Sequence, residues 1–282
     1  MKTILITGCS TGIGLAVAQG LRDRGYRVFA SARQENDVER LRQQGLESLR
    51  LDLADSNSIE EAAEEVLALT GGEIYALFNN GAYGQPGAVE DLSRKVLREQ
   101  FETNVFGTHE LTCKLIPAMR IKGEGRIIQN SSILGLVALP YRGAYVASKY
   151  ALEGLTDTLR LELRGSGIHI SLIEPGPIES RFRANALAAW KANVDAHNSA
   201  HRSVYAAMEA RLEKKGAVAP GTLPAQALIA PVVHALESSE PKARYRVTWP
   251  TYLLSSLKRL LPTSTMDRIL GRIGSQEREI TR

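Results

Sequence analysis

Only two cysteines occur in the 282 residues, Cys9 and Cys113. Two thiols without partners at metal-ligand spacing exclude a disulfide framework and read as structural thiols of a reducing compartment. No apolar run approaches the roughly 20 residues a membrane-spanning helix needs. The apolar stretch after Lys2 breaks at Gly8, too early for a cleavable secretory signal, so a cytoplasmic protein is expected. Internal repeats and low-complexity linkers are missing as well. Of the five histidines only His197 and His201 stand four apart, and they lack the glutamate of His-Glu-x-x-His, so no metal is expected. No dense block of one charge sign occurs either. Residues 241–282 carry nine Lys or Arg against three Asp or Glu, leaving 26 against 28 in the rest. These basic residues are scattered, so they read as solvated surface, and a nucleic-acid partner is not expected.

What is present is apolar material enough for a full core, at 44% of the chain. One domain over residues 1–282 is expected. Apolar runs at 4–7, 28–32, 46–53, 74–79, 126–131, 168–174 and 245–249 alternate with helical spacing. That rhythm predicts an α/β fold, a Rossmann-like doubly wound parallel sheet of about seven strands with helices on both faces. After the sixth strand, residues 181–215 interrupt the rhythm with a helical composition. An insertion there lies over the carboxyl ends of the strands, where open α/β sheets bind ligands, and is read as a substrate lid. Residues 251–282 add a helical extension. Its stripe of Leu253, Leu254, Leu257, Leu260 and Leu261, ended by Pro262, reads first as packing against the sheet or a sister subunit. Shallow contact with a membrane surface is the alternative.

The first strand enters the first helix through "TGCSTGIG". Glycine lets backbone approach a pyrophosphate, and the helix N-terminus supplies oriented N–H donors, so Gly8, Ser10, Thr11, Gly12, Ile13 and Gly14 form a candidate phosphate site. This turn, "NNGA" at 79–82, Asn104, Ser132, "YVASK" at 145–149 and "PGPIES" at 175–180 together resemble the short-chain dehydrogenase/reductase family. The long C-terminal part and "ALEGLTDTLRLEL" look most like the branch of 17β-hydroxysteroid dehydrogenases, retinol dehydrogenases and bacterial NADP-dependent aldehyde reductases. The resemblance implies hydride transfer between a nicotinamide and a carbonyl or alcohol.

Tyr145 and Lys149 stand four apart on a predicted helix and so share a face. A nearby ammonium would lower the phenol from its ordinary value of about 10 and make it usable as acid or base. By resemblance Tyr145 exchanges the proton, Lys149 also holds the nicotinamide ribose, Ser132 anchors the substrate oxygen and Asn104 supports a water and lysine relay. Asp52 and Leu53 match the adenine-contacting pair, and Asn79 begins the motif beside the adenosine ribose. Pro175, Gly176, Ile178 and Ser180 form the loop near the carboxamide and phosphates. An acid at the end of the second strand would select NAD, but Ala32 stands there and Arg33 follows, which favours NADP(H). A second basic residue common before the second turn glycine is replaced by Thr11.

In the lid, Leu187, Trp190, Val194, Tyr205, Met208 and Leu212 suit a lipophilic small-molecule substrate such as an aldehyde, retinoid or steroid, or else form core. The resemblance also implies a homo-oligomer through the helices following Phe101 and Tyr145. Two alternatives stand beside this reading: a reductase of 3-oxoacyl thioesters, and a non-catalytic NADP(H)-binding redox sensor.

Overall fold

In a computed structural model describing residues 1–214, 216–217 and 219–275, seven parallel strands lie side by side in the order β3-β2-β1-β4-β5-β6-β7. They are β1 (Thr3–Ile6), β2 (Arg27–Ala32), β3 (Glu47–Arg50), β4 (Ala76–Asn79), β5 (Gly125–Asn130), β6 (Ile168–Glu174) and β7 (Arg244–Arg246). Alternate residues of a strand point to opposite faces, so each face of the sheet needs its own cover. On one face Ile4 and Ile6 meet Val17 and Leu21 of α1 (Gly12–Arg22), Leu41 of α2 (Glu35–Gln43) and Val232 of α9 (Ile229–Glu237). On the other, Leu5 and Phe29 meet Ile59 of α3 (Ser56–Leu69) and Leu111 and Leu115 of α5 (Gly107–Lys122). Leu159 of α6 (Gly143–Glu162) completes that layer. Strand order reverses between β1 and β4, which opens a crevice at their carboxyl ends.

The expected strand at 245–249 is cut short. Thr248 adopts an extended cap conformation and Pro250, which has no N–H to give a ladder, stands in the first turn of α10 (Trp249–Leu260). β3 likewise ends at Arg50, because the chain turns at Asp52, whose carboxylate accepts from the Ala54 N–H. The lid segment forms α7 (Phe182–Asn193) and α8 (Arg202–Glu213), with Lys215 outside the described residues. Its apolar members turn inward: Ala186, Trp190, Tyr205, Met208 and Leu212 make a core with Ala88. The alternative in which they were core is the one found. α8 is tied down by Tyr205, whose hydroxyl donates to Asp91 and accepts from the Ala88 N–H at 2.9 Å.

The C-terminal stripe divides. Leu254 is buried with Val137 and with Met266 and Leu270 of α11 (Thr263–Ser275), whereas Leu253 and Leu260 face solvent. A five-leucine stripe is wider than the contact one helix makes with the turn beneath it. Residues 276–282 of the expected extension lie outside the described residues.

Candidate active site

The glycine turn is shaped by protein contacts before any ligand is considered. Gly8 has φ of +70°, and a Cβ on it would stand 2.7 Å from Gly81 Cα. A Cβ on Gly14 would stand 2.4 Å from the Gly8 carbonyl oxygen. These two glycines therefore let the turn after β1 lie against the end of β4. Thr7 fastens the same contact, its hydroxyl accepting from the N–H groups of Asn80 at 2.9 Å and Gly81 at 2.7 Å. α1 then begins at Gly12 with no acidic residue in its first turn, and Thr11 makes no side-chain cap. Its first N–H groups lack intrahelical partners, as an anion site requires. Ser180 lies beside them, 2.9 Å from where a Gly12 Cβ would be.

Asn79 is not at the crevice. Its side chain donates to Thr112 on α5 at 2.8 Å and is buried under the sheet, because neighbouring strand residues face opposite ways. The side chain that meets the glycine turn is that of the next residue. Asn80 occupies the edge, donating to the Thr7 carbonyl at 2.9 Å while its oxygen accepts from Asn130 at 2.9 Å. The backbone carbonyl of Asn130 in turn accepts from the Lys149 ammonium at 2.7 Å. A continuous chain of hydrogen bonds therefore joins Lys149 to the glycine turn. Neither Asn80 nor Asn130 was singled out from the sequence; the doubled Asn at 79–80 was the available signal.

α6 carries Tyr145 and Lys149 on its buried face, the lysine Nζ 5.7 Å from the tyrosine ring centroid. Ser132 follows the end of β5, hydrogen-bonds the Tyr145 side chain and accepts from the Leu134 N–H at 3.1 Å. The Ile133 N–H donates to the Pro175 carbonyl at 2.8 Å, tying this turn to the loop after β6. Gly176 is needed in that loop, since a Cβ there would fall 2.1 Å from the Thr248 hydroxyl. Ile178 pairs in a parallel bridge with Leu223.

The expected depression of the Tyr145 phenol is not what the geometry produces. Burial pushes it up to about 12 against the opposing pull of Ser132. Burial also lowers the Lys149 ammonium to about 8, with Glu153 one turn along α6 pulling the other way. Desolvation acts on both groups alike and favours their neutral forms. Lys149 meanwhile spends its shortest contact on a carbonyl.

Asn104 sits in a π-helical turn, Glu102–Phe106, between α4 (Arg94–Phe101) and α5. Such bulges re-aim a side chain. Here Asn104 accepts from the Tyr83 N–H at 3.1 Å and donates to the Tyr83 carbonyl at 2.9 Å and the Ser148 hydroxyl at 3.1 Å. Its polar atoms fasten the Tyr83 loop to α6, and no bond to Lys149 is among them. Gln100 assists by accepting from the Gln85 N–H at 2.8 Å and donating to the Tyr83 carbonyl at 2.9 Å.

Two further residues complete the site. Phe182, at the start of α7, stands edge-on to the Tyr145 ring at 5.3 Å. Arg40 on α2 donates to the Ser10 carbonyl at 2.7 Å and pairs with Asp37 at 2.6 Å. Arg33 is exposed just past the end of β2. Asp52 and Leu53 follow β3, with Leu53 Cδ1 3.0 Å from where a Gly81 Cβ would be. Of the two cysteines Cys9 is buried, but Cys113 is exposed on α5.

Residues 2–191 match the family described as short chain dehydrogenase. The chain is 45% identical over 269 residues to the uncharacterised oxidoreductase YbbO of Escherichia coli K12, covering 95% of this chain and 94% of that protein. It is 30% identical over 278 residues to the NADPH-dependent 3-dehydrocapnine reductase of Ornithobacterium rhinotracheale, covering 95% and 96%. Human 17-beta-hydroxysteroid dehydrogenase type 1 is 36% identical over 196 residues, 65% of this chain and 59% of that one. Among solved structures, a short-chain dehydrogenase from Streptomyces avermitilis superposes with a TM-score of 0.75 at 26% identity, covering 96% and 97%.

Proposed function

Because the chain belongs to the short-chain dehydrogenase family, we propose that it uses NADPH to reduce a lipophilic aldehyde or ketone, and oxidises the matching alcohol in reverse. The observation that carries this reading is the convergence of Ser132, Tyr145 and Lys149 at the carboxyl edge of the sheet, under Phe182. A pure cofactor sensor would need no proton donor there.

The residues fit a dinucleotide. The uncapped start of α1 with Gly12 and Ser180 would hold the pyrophosphate, Asp52 and Leu53 the adenine, and Lys149 the nicotinamide ribose, with Pro175, Gly176 and Ile178 near the carboxamide. Arg33 and Arg40 would take a 2′-phosphate, and no carboxylate stands at Ala32 to repel it. The similar Ornithobacterium protein is named as NADPH-dependent, which supports the same choice. When bound, the cofactor supplies a hydride to the carbonyl carbon.

The chain's own part is the proton. With its phenol held near 12, Tyr145 stays protonated at neutral pH and can donate to a carbonyl oxygen as negative charge builds on it. The Ser132 oxygen accepts from Leu134, and its proton, which in this structure goes to the Tyr145 oxygen, would turn to the substrate oxygen when a carbonyl lies between them. Lys149 places a positive charge beside the phenolate that forms. Asn104 keeps the Tyr83 loop and α6 in register and thereby positions Tyr145. Phe182 and Gly84 leave an apolar approach to the phenol, which suits a lipophilic carbonyl. A homo-oligomer would form through α5 and α6, with Leu155 and Leu161 of α6 and Phe106 of the π-helical turn exposed to meet a partner.

The test is NADPH consumption across aliphatic aldehydes, retinal, oxosteroids and a 3-oxoacyl thioester, with Tyr145→Phe run in parallel. Turnover lost in the variant supports the reading. Tight NADPH binding with no turnover of any carbonyl would replace it with the sensor reading, and turnover of the thioester alone would move the substrate class.

A further inference from the structure

α10 is apolar on two faces, and only one of them is covered. Leu254 packs inward with Met266 and Leu270 of α11. Trp249, Tyr252, Leu253 and Leu260 are 57%, 53%, 47% and 79% exposed. At 100° per residue these four fall together with exposed Ser256 on a single outward face. A monomer rarely leaves so many large apolar side chains grouped in solvent without using them.

The charge that α10 itself brings to this face is of one sign. From Trp249 to Leu260 the helix has no Asp or Glu, and of its two cations Arg259 lies toward the face while Lys258, half a turn away, bonds the Leu136 carbonyl and the Tyr150 hydroxyl. Arg259 follows Tyr252 by seven residues on the same side, and the Arg246 guanidinium lies 5.9 Å from the Tyr252 ring. An indole and a phenol at the rim of an aliphatic patch, bordered by cations, match the headgroup boundary of an anionic lipid layer. A second copy is a poorer occupant, because symmetric pairing of this face would oppose cations with no carboxylate between them.

The face also borders the site. α10 starts where β7 leaves the sheet, at the carboxyl edge. Trp249 covers Gly221, where a Cβ would fall 2.4 Å from the indole nitrogen. Thr248 and Thr251 back Gly176 of the loop after β6.

We propose that the outward face of α10 docks in the plane of an anionic lipid surface, so that substrates dissolved in the lipid reach the crevice. No helix among the described residues is long and apolar enough to cross a membrane, so the contact is peripheral. The inference rests on the lipophilic-substrate reading above.

The experiment is co-sedimentation of the full chain with phosphatidylglycerol or phosphatidylcholine vesicles, together with tryptophan emission. Only Trp190, which is buried, and Trp249 contribute, so wild type minus Trp249→Phe isolates Trp249. Expected are a blue shift of Trp249 and binding to phosphatidylglycerol several-fold above phosphatidylcholine. Binding should weaken several-fold in Arg259→Glu and in Leu253→Ser/Leu260→Ser, with turnover of a water-soluble aldehyde by NADPH unchanged. Absence of vesicle binding, or binding indifferent to these substitutions, overturns the proposal. So does a dimer that the leucine substitutions dissociate in light scattering while vesicles fail to bind. Vesicle binding without turnover of any carbonyl sustains the docking face and sinks the reductase reading instead.

Discussion

The Phe182 ring meets the Tyr145 ring edge-on, centroids 5.3 Å apart with the planes at 64°. One ring begins α7 and the other holds the proton the proposed reaction needs. Phe182 thereby contributes to the desolvation that raises the phenol. Phe182→Ala should admit water, bring the phenol down from about 12 and raise KM for bulky apolar carbonyls several-fold, while leaving NADPH affinity in place. Steady-state kinetics with a short and a long aldehyde, beside cofactor titration, check it.

The buried ammonium sets a pH limit. Lys149 is charged below about 8 and neutral above it, whereas Tyr145 keeps its proton to about 12. Carbonyl reduction should therefore hold through neutrality and decline above pH 8, as the charge beside the nascent phenolate is lost. The same shift affects folding. Lys149 falls from 10.5 to about 8 on burial, so between these values the unfolded chain holds a proton the folded chain has released. Its contribution to stability rises with pH across that window. Urea unfolding of wild type and Lys149→Met from pH 7 to 10 should show this slope in wild type only.

Arg33 follows Ala32, the position at which an acid would select NAD. Reversing its charge with Arg33→Asp should weaken NADPH binding by about ten- to a hundredfold, the value of one charge-assisted hydrogen bond, and improve NADH. Arg40→Gln should weaken NADPH less, because Arg40 already bonds the Ser10 carbonyl and Asp37. Cofactor titrations of both variants test the assignment, and an unchanged preference in Arg33→Asp would show that the phosphate is read elsewhere.

The α7–α8 segment is clasped by Tyr205, whose hydroxyl bonds Asp91 and the Ala88 N–H. Tyr205→Phe leaves the buried Ala88 N–H without its acceptor and Asp91 with Ser199 as its remaining hydroxyl donor, and should cost about 1–3 kcal/mol, read as lower thermal stability and faster amide exchange in α7 and α8. The Ser199 and Tyr205 hydroxyls hold the Asp91 carboxyl below its ordinary range. The stability this adds is complete above pH 4 and is lost as pH falls through the lowered value. Acid unfolding should begin at higher pH in the variant.

Gly107 opens α5 with no room for a side chain, since a Cβ would lie 1.8 Å from the Leu53 carbonyl oxygen. Gly107→Ala must move α5 off the loop after β3, at a cost of about 1–3 kcal/mol or more. Chemical denaturation measures this, and the adenosine end of the crevice should loosen with it.

The amino-acid sequence by itself determined the alternation of strands and helices, the glycine turn, the Tyr145 and Lys149 pair and the helical segment that follows the sixth strand. These follow from periodicities of two and 3.6 residues and from backbone demands that only glycine meets, both local to the chain. Tertiary structure alone decided which asparagine reaches the crevice, because Asn79 and Asn80 differ only in the sheet face each receives. It decided likewise that Arg40 bonds the Ser10 carbonyl, that Phe182 covers Tyr145 and that Leu253 and Leu254 part company. It also set the protonation of Tyr145 and Lys149. A pKa depends on how much water the whole fold removes, and that quantity is written in no single stretch of residues.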